Sequence, residues 1–214
     1  MTPDLVIFDC DGVLVDSERP ANEVMIASIA RYGVTVSIEY AMEHFVGGTM
    51  QGVFDKARAL GADLPDDWIP EIYAQIFDRL REGVDAIPGV IDVLDRLDAA
   101  GVPYCVASNG AEAKMAITLG GTGIADRMGG RLFSAYTLGV SKPDPELFLI
   151  AAREMGVAPD RAVVIEDSPS GALGAERAGM RCFGYAPHGD DRLAAHGARV
   201  FRDMADLPEL LGLT

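Results

Sequence analysis

The chain has 214 residues, 49% of them hydrophobic, and a formal net charge of −15. That length suits one large domain or a domain carrying an insertion, and the hydrophobic share excludes a disordered chain. The charge argues against nucleic-acid or anionic-membrane partners, and no apolar run approaches the ~20 residues of a membrane span. From the N-terminus, LVIFD reads as a strand buried on both faces, as in parallel sheets. It runs into two acids, Asp9 and Asp11, with Cys10 between them and Gly12 breaking the strand. Residues two apart on an extended segment share a face, so these carboxylates repel unless a positive group lies between them or one holds a proton. From residue 17 the texture changes. Val24, Met25, Ile29 and Tyr32 fall on one side of a helix over 20–32. Trp68, Ile72, Ile76 and Leu80 recur every four residues in a second helix, with Ile69 and Tyr73 alongside. GGTMQG and GADLPDD between them read as loops, and no strand is predicted in this block.

From residue 86 strands and helices alternate. IPGVIDVLDRLDAAG places Val90, Val93, Leu94 and Leu97 at helical spacing, with Gly101 as its stop. PYCVASNG is a strand then a turn. KPDPELFLIAAREMG is a helix with Asp144 suited to the N-cap and Pro145 to the first helical position. AVVIEDS is a second buried strand, followed by a helix that Ser168 caps ahead of Pro169. RCFGYAP and ARVFR are later strands, and DLPELLGL is a closing helix. The pattern predicts an α/β fold, a Rossmann-like parallel sheet over 1–16 and 86–214, interrupted by an inserted all-helical cap over 17–85. Cys10, Cys105 and Cys182 each lie in a strand-like apolar run, so buried reduced thiols are expected. With no basic region followed by an apolar core near the start, a cytoplasmic location is the expectation.

Ligands of open α/β sheets bind beyond the carboxyl ends of the strands. Three predicted strands end in polar residues there: Asp9 and Asp11, Ser108 and Asn109, Glu166 and Asp167. Each pair alone reads equally as a helix cap or a solvated turn. Together, several carboxylates on one sheet edge need a cation, and oxygen-only ligands suit Mg²⁺. An anion held there also needs a fixed positive group, and Lys142, beside Pro143 and Pro145, is the candidate.

DCDGVLVDSE, VASNG, SKPDP and VIEDS resemble the four ordered motifs of the haloacid dehalogenase (HAD) superfamily. The helical insert resembles the cap of its subfamily I, which contains phosphoglycolate-type phosphatases and β-phosphoglucomutase. SNGAEAKM, RLFSAYTLGVSKPDP and RDMADLPEL further resemble bacterial sugar-phosphate phosphatases of the 6-phosphogluconate phosphatase type. The resemblance implies Asp9 as nucleophile, Asp11 as general acid and base, and Ser108, the Asn109 backbone N–H and Lys142 as phosphate-binding groups. It implies Mg²⁺ between Asp9, the Asp11 carbonyl and Asp167, with Glu166 a direct or water-mediated neighbour. The substrate it implies is a small phosphorylated metabolite, handled by a monomer or small homo-oligomer. Mg²⁺ and Lys142 would then supply the local positive field that the acidic chain otherwise lacks.

Asp11 favours phosphoryl chemistry over dehalogenation, because halide departs without a proton and most phosphate esters do not. A phosphonatase would need a cap lysine for a Schiff base, and only Lys56 is available, where a surface role is expected. His44, His188 and His196 lie far from the motifs. The alternatives are a sugar-phosphate mutase and a non-catalytic module that keeps the fold. Hydrolysis is expected over mutase chemistry because SERPANEV lacks the histidine and VGGTMQG the arginine that the mutase resemblance calls for, though Arg19 compensates in part. HFVGGTMQG is expected to close over the ligand, with hinges near 15–19 and 81–87, and Glu18, Arg19 and Asn22 as further contacts.

Overall fold

The computed structural model describes residues 2–45, 49–189 and 192–213. The chain divides into two units, Met1–Val15 with Ala86–Thr214, and Asp16–Asp85. In chain order the first unit begins with strand β1 (Leu5–Phe8), and a short strand β2 (Val15–Asp16) leads into the second. The second unit holds helices α1 (Glu18–Arg31), α2 (Ile38–His44), α3 (Met50–Ala59) and α4 (Trp68–Arg81). Strand β3 (Asp85–Ala86) returns the chain and pairs with β2 in a two-stranded sheet. There follow α5 (Val90–Ala100), β4 (Tyr104–Ser108), α6 (Glu112–Gly120), α7 (Ile124–Met128), β5 (Leu132–Ser134), α8 (Ala135–Leu138) and α9 (Glu146–Glu154). The remainder is β6 (Ala162–Glu166), α10 (Pro169–Arg177), β7 (Arg181–Tyr185), β8 (Arg199–Phe201) and α11 (Leu207–Leu210).

The main sheet has six strands in the order β5-β4-β1-β6-β7-β8, and each neighbouring pair is parallel. After β1 the chain winds to one side through β4 and β5, then returns beside β1 and winds to the other through β6, β7 and β8. Strand β1 is therefore central, which is why Leu5, Val6, Ile7 and Phe8 are all fully buried. Alternate residues serve opposite faces. Leu5 and Ile7 join a core with Leu147, Phe148 and Ala151 of α9 and Ala172 and Ala175 of α10. Phe8 meets Tyr104 edge-on, with ring centroids 6.4 Å apart. Register pins Ile7 beside Cys105 on β4 and Val164 on β6. The ends of these three strands therefore lie side by side.

In the second unit, α1 packs on α4, where Trp68, Ile72, Ile76 and Leu80 are buried as their spacing predicts. Tyr73 instead stands 45% exposed. The Trp68 indole N–H donates to Ser28 Oγ at 3.0 Å, satisfying both groups inside the core. GGTMQG differs from the loop reading. Thr49 Oγ1 accepts from Gly52 N–H at 3.1 Å and starts α3 there, and burial of Val53, Phe54 and Ala57 outweighs the helix-weakening glycine. Its first glycines lie with Val46 outside the described residues. Helix α9 begins at Glu146, one residue later than expected, and Asp144 Oδ1 still accepts the Glu146 N–H at 2.9 Å. Ser168 caps α10 as expected, taking the Gly171 N–H at 3.0 Å, with Pro169 next. Gly101 ends α5 at φ +66°. Among the described residues no helix is long and apolar enough to cross a membrane.

Candidate active site

The first motif folds into a tight turn straight after β1. Leu14 and Val15 N–H both donate to Cys10 O, at 2.9 and 3.1 Å, and Gly12 N–H donates to Val15 O at 2.9 Å. Gly12 takes φ +78°, a conformation glycine adopts without the clash other residues suffer. The turn also needs a bare Cα there, because a methyl group would fall 2.0 Å from Asp167 Oδ2. The Asp167 carboxylate, delivered from the end of β6, thus fills the space above Gly12 and stands beside the first motif.

Asp9 continues β1, its N–H donating to Ile165 O at 2.9 Å, and its side chain is buried. Lys142 reaches it from the loop before α9 and donates to Asp9 Oδ1. The same ammonium donates to Glu166 Oε1 at 2.6 Å and lies 5.3 Å from the Phe148 ring centre. Burial pushes the Asp9 carboxyl up; Lys142 pulls it back, while Glu166 and Asp11 add repulsion. Burial alone would lower Lys142, but Asp9 and Glu166 outweigh it and hold the ammonium above the usual lysine range.

Both Glu166 oxygens are engaged within the protein. Its Oε1 holds Lys142, and its Oε2 accepts Asp167 N–H, Ser168 N–H and Ser168 Oγ–H at 3.0, 2.9 and 2.8 Å. A buried carboxylate with both oxygens so engaged clamps Lys142 and the turn after β6 in place. Gly171 makes room for it, since a methyl there would come 1.9 Å from the Glu166 carboxyl carbon.

Ser108 ends β4 buried, with its Oγ accepting Gly110 N–H at 3.0 Å. Asn109 Oδ1 accepts the Lys142 backbone N–H at 2.9 Å and ties the β4 turn to the lysine loop. Lys114, unassigned in the sequence, also belongs here. From the first turns of α6 its Nζ lies 2.8 Å from Asp11 Oδ2. The signal available was its place in SNGAEAKM, a short helical reach beyond the β4 turn.

Asp9, Asp11, Ser108, Asn109, Lys142, Glu166 and Asp167 are thus gathered at the carboxyl ends of β1, β4 and β6. Four carboxylates against two ammonium groups leave formal negative charge in excess. Among the described residues no three His, Cys, Asp or Glu side chains form a metal cage. The three cysteines are buried and free. Two of the histidines have partners elsewhere: His44 stacks on Tyr40 at 4.1 Å, and His196 lies 3.7 Å from Glu176. Lys56 donates to His44 O, an anchor between α2 and α3. Within the helical unit a cavity of about 420 Å³ is lined by Arg19, Glu23 and Arg79 among others. Its cations are engaged internally, Arg19 with Glu23 at 3.3 Å and Arg79 with Gly83 O at 3.0 Å. Asn22 is buried and donates to Glu18 O at 2.8 Å.

A family model described as haloacid dehalogenase-like hydrolase matches residues 3–179. The 6-phosphogluconate phosphatase of Escherichia coli (strain K12) is 30% identical over 208 residues, covering 96% of this chain and 93% of that protein. A conserved haloacid dehalogenase-like protein of unknown function from Agrobacterium tumefaciens str. C58 superposes with a TM-score of 0.88 at 34% identity, covering 98% of this chain and 97% of that one. A HAD family hydrolase from Deinococcus radiodurans R1, solved with bound phosphate and sodium, gives a TM-score of 0.88 at 31% identity over 99% of this chain and 97% of that one.

Proposed function

The chain belongs to the haloacid dehalogenase-like hydrolases, and from that premise we propose that it is a Mg²⁺-dependent phosphatase that hydrolyses a small sugar phosphate or phosphosugar acid through a phosphoryl group carried on Asp9. The observation that carries the reading is the separate anchoring of two neighbouring acids. Asp9 is buried and held by Lys142, while Asp11, two residues on, turns to a different partner. One fixed carboxylate suits a nucleophile and a second, independently held, suits proton transfer. Likeness to a 6-phosphogluconate phosphatase supports the substrate class.

In the first step a carboxylate oxygen of Asp9 attacks phosphorus, the P–O bond to the leaving group breaks, and the departing oxygen takes a proton from Asp11. In the second, Asp11 takes a proton from water, the water oxygen attacks phosphorus, the Asp9–phosphorus bond breaks, and inorganic phosphate leaves. Lys142 restrains Asp9, and with Ser108 and the Asn109 N–H it offers donors for the phosphoryl oxygens. Glu166 keeps Lys142 in place. Asp9, the Asp11 carbonyl and Asp167 are the hard oxygen donors that would hold Mg²⁺. The set fits, because Mg²⁺ takes one or two carboxylates and keeps several waters, so a cage of three side chains is not required. The Asp167 carboxylate seated over Gly12 is the structural sign of that fit. When bound, Mg²⁺ offsets the excess negative charge, favours ionised Asp9 and polarises the phosphoryl oxygens.

The test is a release assay for free phosphate across sugar phosphates, 6-phosphogluconate, phosphoglycolate, nucleotides and p-nitrophenyl phosphate, with Mg²⁺ and with chelator. Stoichiometric phosphate from a sugar phosphate, abolished by chelator and restored by Mg²⁺, is expected. No turnover of any ester, or full turnover after exhaustive chelation, would overturn the reading.

A further inference from the structure

Lys142 is buried, and two of its three ammonium donors are taken by Asp9 and Glu166, which leaves one for a phosphoryl oxygen. The acid–base residue has a different cation. Lys114 Nζ lies 2.8 Å from Asp11 Oδ2, and both side chains stay partly open to solvent, at 26% and 19%. A second contact fixes how α6 meets the first motif. Thr118, one helical turn beyond Lys114, places its Oγ1 4.0 Å from Cys10 Sγ while donating to Lys114 O at 3.1 Å. Residues 114 and 118 share a helix face, and they meet the consecutive residues Cys10 and Asp11. The compartment is small. A methyl at Gly110 would lie 3.3 Å from Ser108 Oγ, 3.6 Å from Asp11 Oδ2 and 3.7 Å from Lys114 Cδ. The phosphate-side hydroxyl, the proton-transfer carboxyl and Lys114 therefore converge on one bare glycine.

We propose that Lys114 is the positioning residue of Asp11: its ammonium, carried on α6, sets the carboxyl group for proton transfer to the leaving oxygen and from the attacking water. The site then has two lysines with divided roles, Lys142 for the nucleophile and Lys114 for the acid–base group. This rests on the phosphatase reading above. Lys114 touches Asp11 and acts through it. Its open flank admits a competing role, a grip on a second anionic group of the substrate, and the two differ in what they do to KM and kcat.

The experiment compares wild type, Lys114→Met, Lys114→Arg, Asp11→Asn and the Lys114→Met/Asp11→Asn double variant on p-nitrophenyl phosphate and β-glycerophosphate. p-Nitrophenolate leaves without a proton; the glycerol alkoxide needs one. Lys114→Met is expected to keep a near-wild-type burst of p-nitrophenolate yet lose about 10²-fold in steady-state kcat on both esters, the scale of general acid–base catalysis. KM should change by less than about threefold. Asp11→Asn should show the same split, and the double variant should be no slower than the slower single, because both changes remove one function. Lys114→Arg should restore most of the loss, and thermal unfolding should show that each variant folds. If Lys114→Met does not fold, Lys114→Gln against Lys114→Arg gives the same comparison. A raised KM with unchanged kcat would overturn the inference in favour of a substrate grip. Additive losses in the double variant, or a burst lost together with turnover, would overturn it in favour of a structural role. A wild type that turns over no ester of the wider phosphate-release panel would refute the phosphatase reading and this inference with it, a result distinct from the others.

Discussion

Replacing Lys142 with Met should damage the fold as well as the chemistry. The substitution keeps the length of the stem beside Phe148 but removes the ammonium between two buried carboxylates, Asp9 and Glu166, which are 8% and 1% exposed. Breaking a buried ion pair by deleting one partner costs about 3–5 kcal/mol, because the remaining charge loses its counter-ion in a poorly solvated place. Against a total stability of about 5–15 kcal/mol that is a large share. With a urea slope of about 3 kcal/mol/M, the unfolding midpoint should fall by roughly 1–1.7 M. The assay is urea unfolding followed by circular dichroism at neutral pH, in the absence of metal. Adding Glu166→Gln should recover part of the loss. It removes one of the facing charges, its carbonyl can still accept the Asp167 and Ser168 N–H groups, and its amide can donate toward Asp9. A Lys142→Met variant within about 1 kcal/mol of wild type would refute the clamp described here, since loss of a partnered buried charge cannot be that mild. A Glu166→Gln change that deepens the loss would refute it equally.

Gly171→Ala should place a methyl 1.9 Å from the Glu166 carboxyl carbon and push that clamp off Lys142; overpacking of this kind costs about 1–3 kcal/mol. Thermal unfolding should show that modest loss alongside a much larger fall in phosphatase activity, and a variant with unchanged kcat would count against the clamp. Burial raises the Cys105 and Cys182 thiols to about 12, so a disulfide-exchange thiol reagent should find no reactive thiol in the native protein and three in urea. Because those folded values exceed the ordinary 9.0, the thiols' contribution to stability is whole below pH 9 and is lost as pH rises toward 12. A rise in stability over that window would contradict the assignment.

Central elements were legible because their physics is local. Strands β1 and β6 are continuous apolar runs, as strands buried on both faces must be. The ends of α5 and α10 follow from Gly101 and from Ser168 with Pro169, residues whose capping chemistry needs no tertiary context. Residues 111–140 carried no such pattern. There α6, α7, the three-residue edge strand β5 and α8 are short, and Leu132 and Phe133 are only half-buried. The start of α3 was hidden because glycines read as loop while the Thr49 cap and the buried Val53 and Phe54 decide otherwise. In the site, the acids stood out as strand-end residues and Lys142 as a lysine stiffened by the prolines that follow it. The grip of Glu166 on Lys142 did not, because 24 positions separate the two residues and only the fold brings them together. Lys114 could not be paired with Asp11 from the sequence either, since 103 positions separate them and only the β1–β4 pairing brings their elements together.

The most direct test of the central claim is to look for the phosphoryl group itself. The protein is mixed with Mg²⁺ and a hydrolysed sugar phosphate, quenched in acid during steady state, digested and mapped by mass spectrometry. The account predicts a phosphoryl group on the first-motif peptide, localised to Asp9, and none in an Asp9→Asn variant that folds normally and has lost turnover. A phosphoryl group on another residue, or an Asp9→Asn variant that still releases phosphate at the wild-type rate, would contradict it.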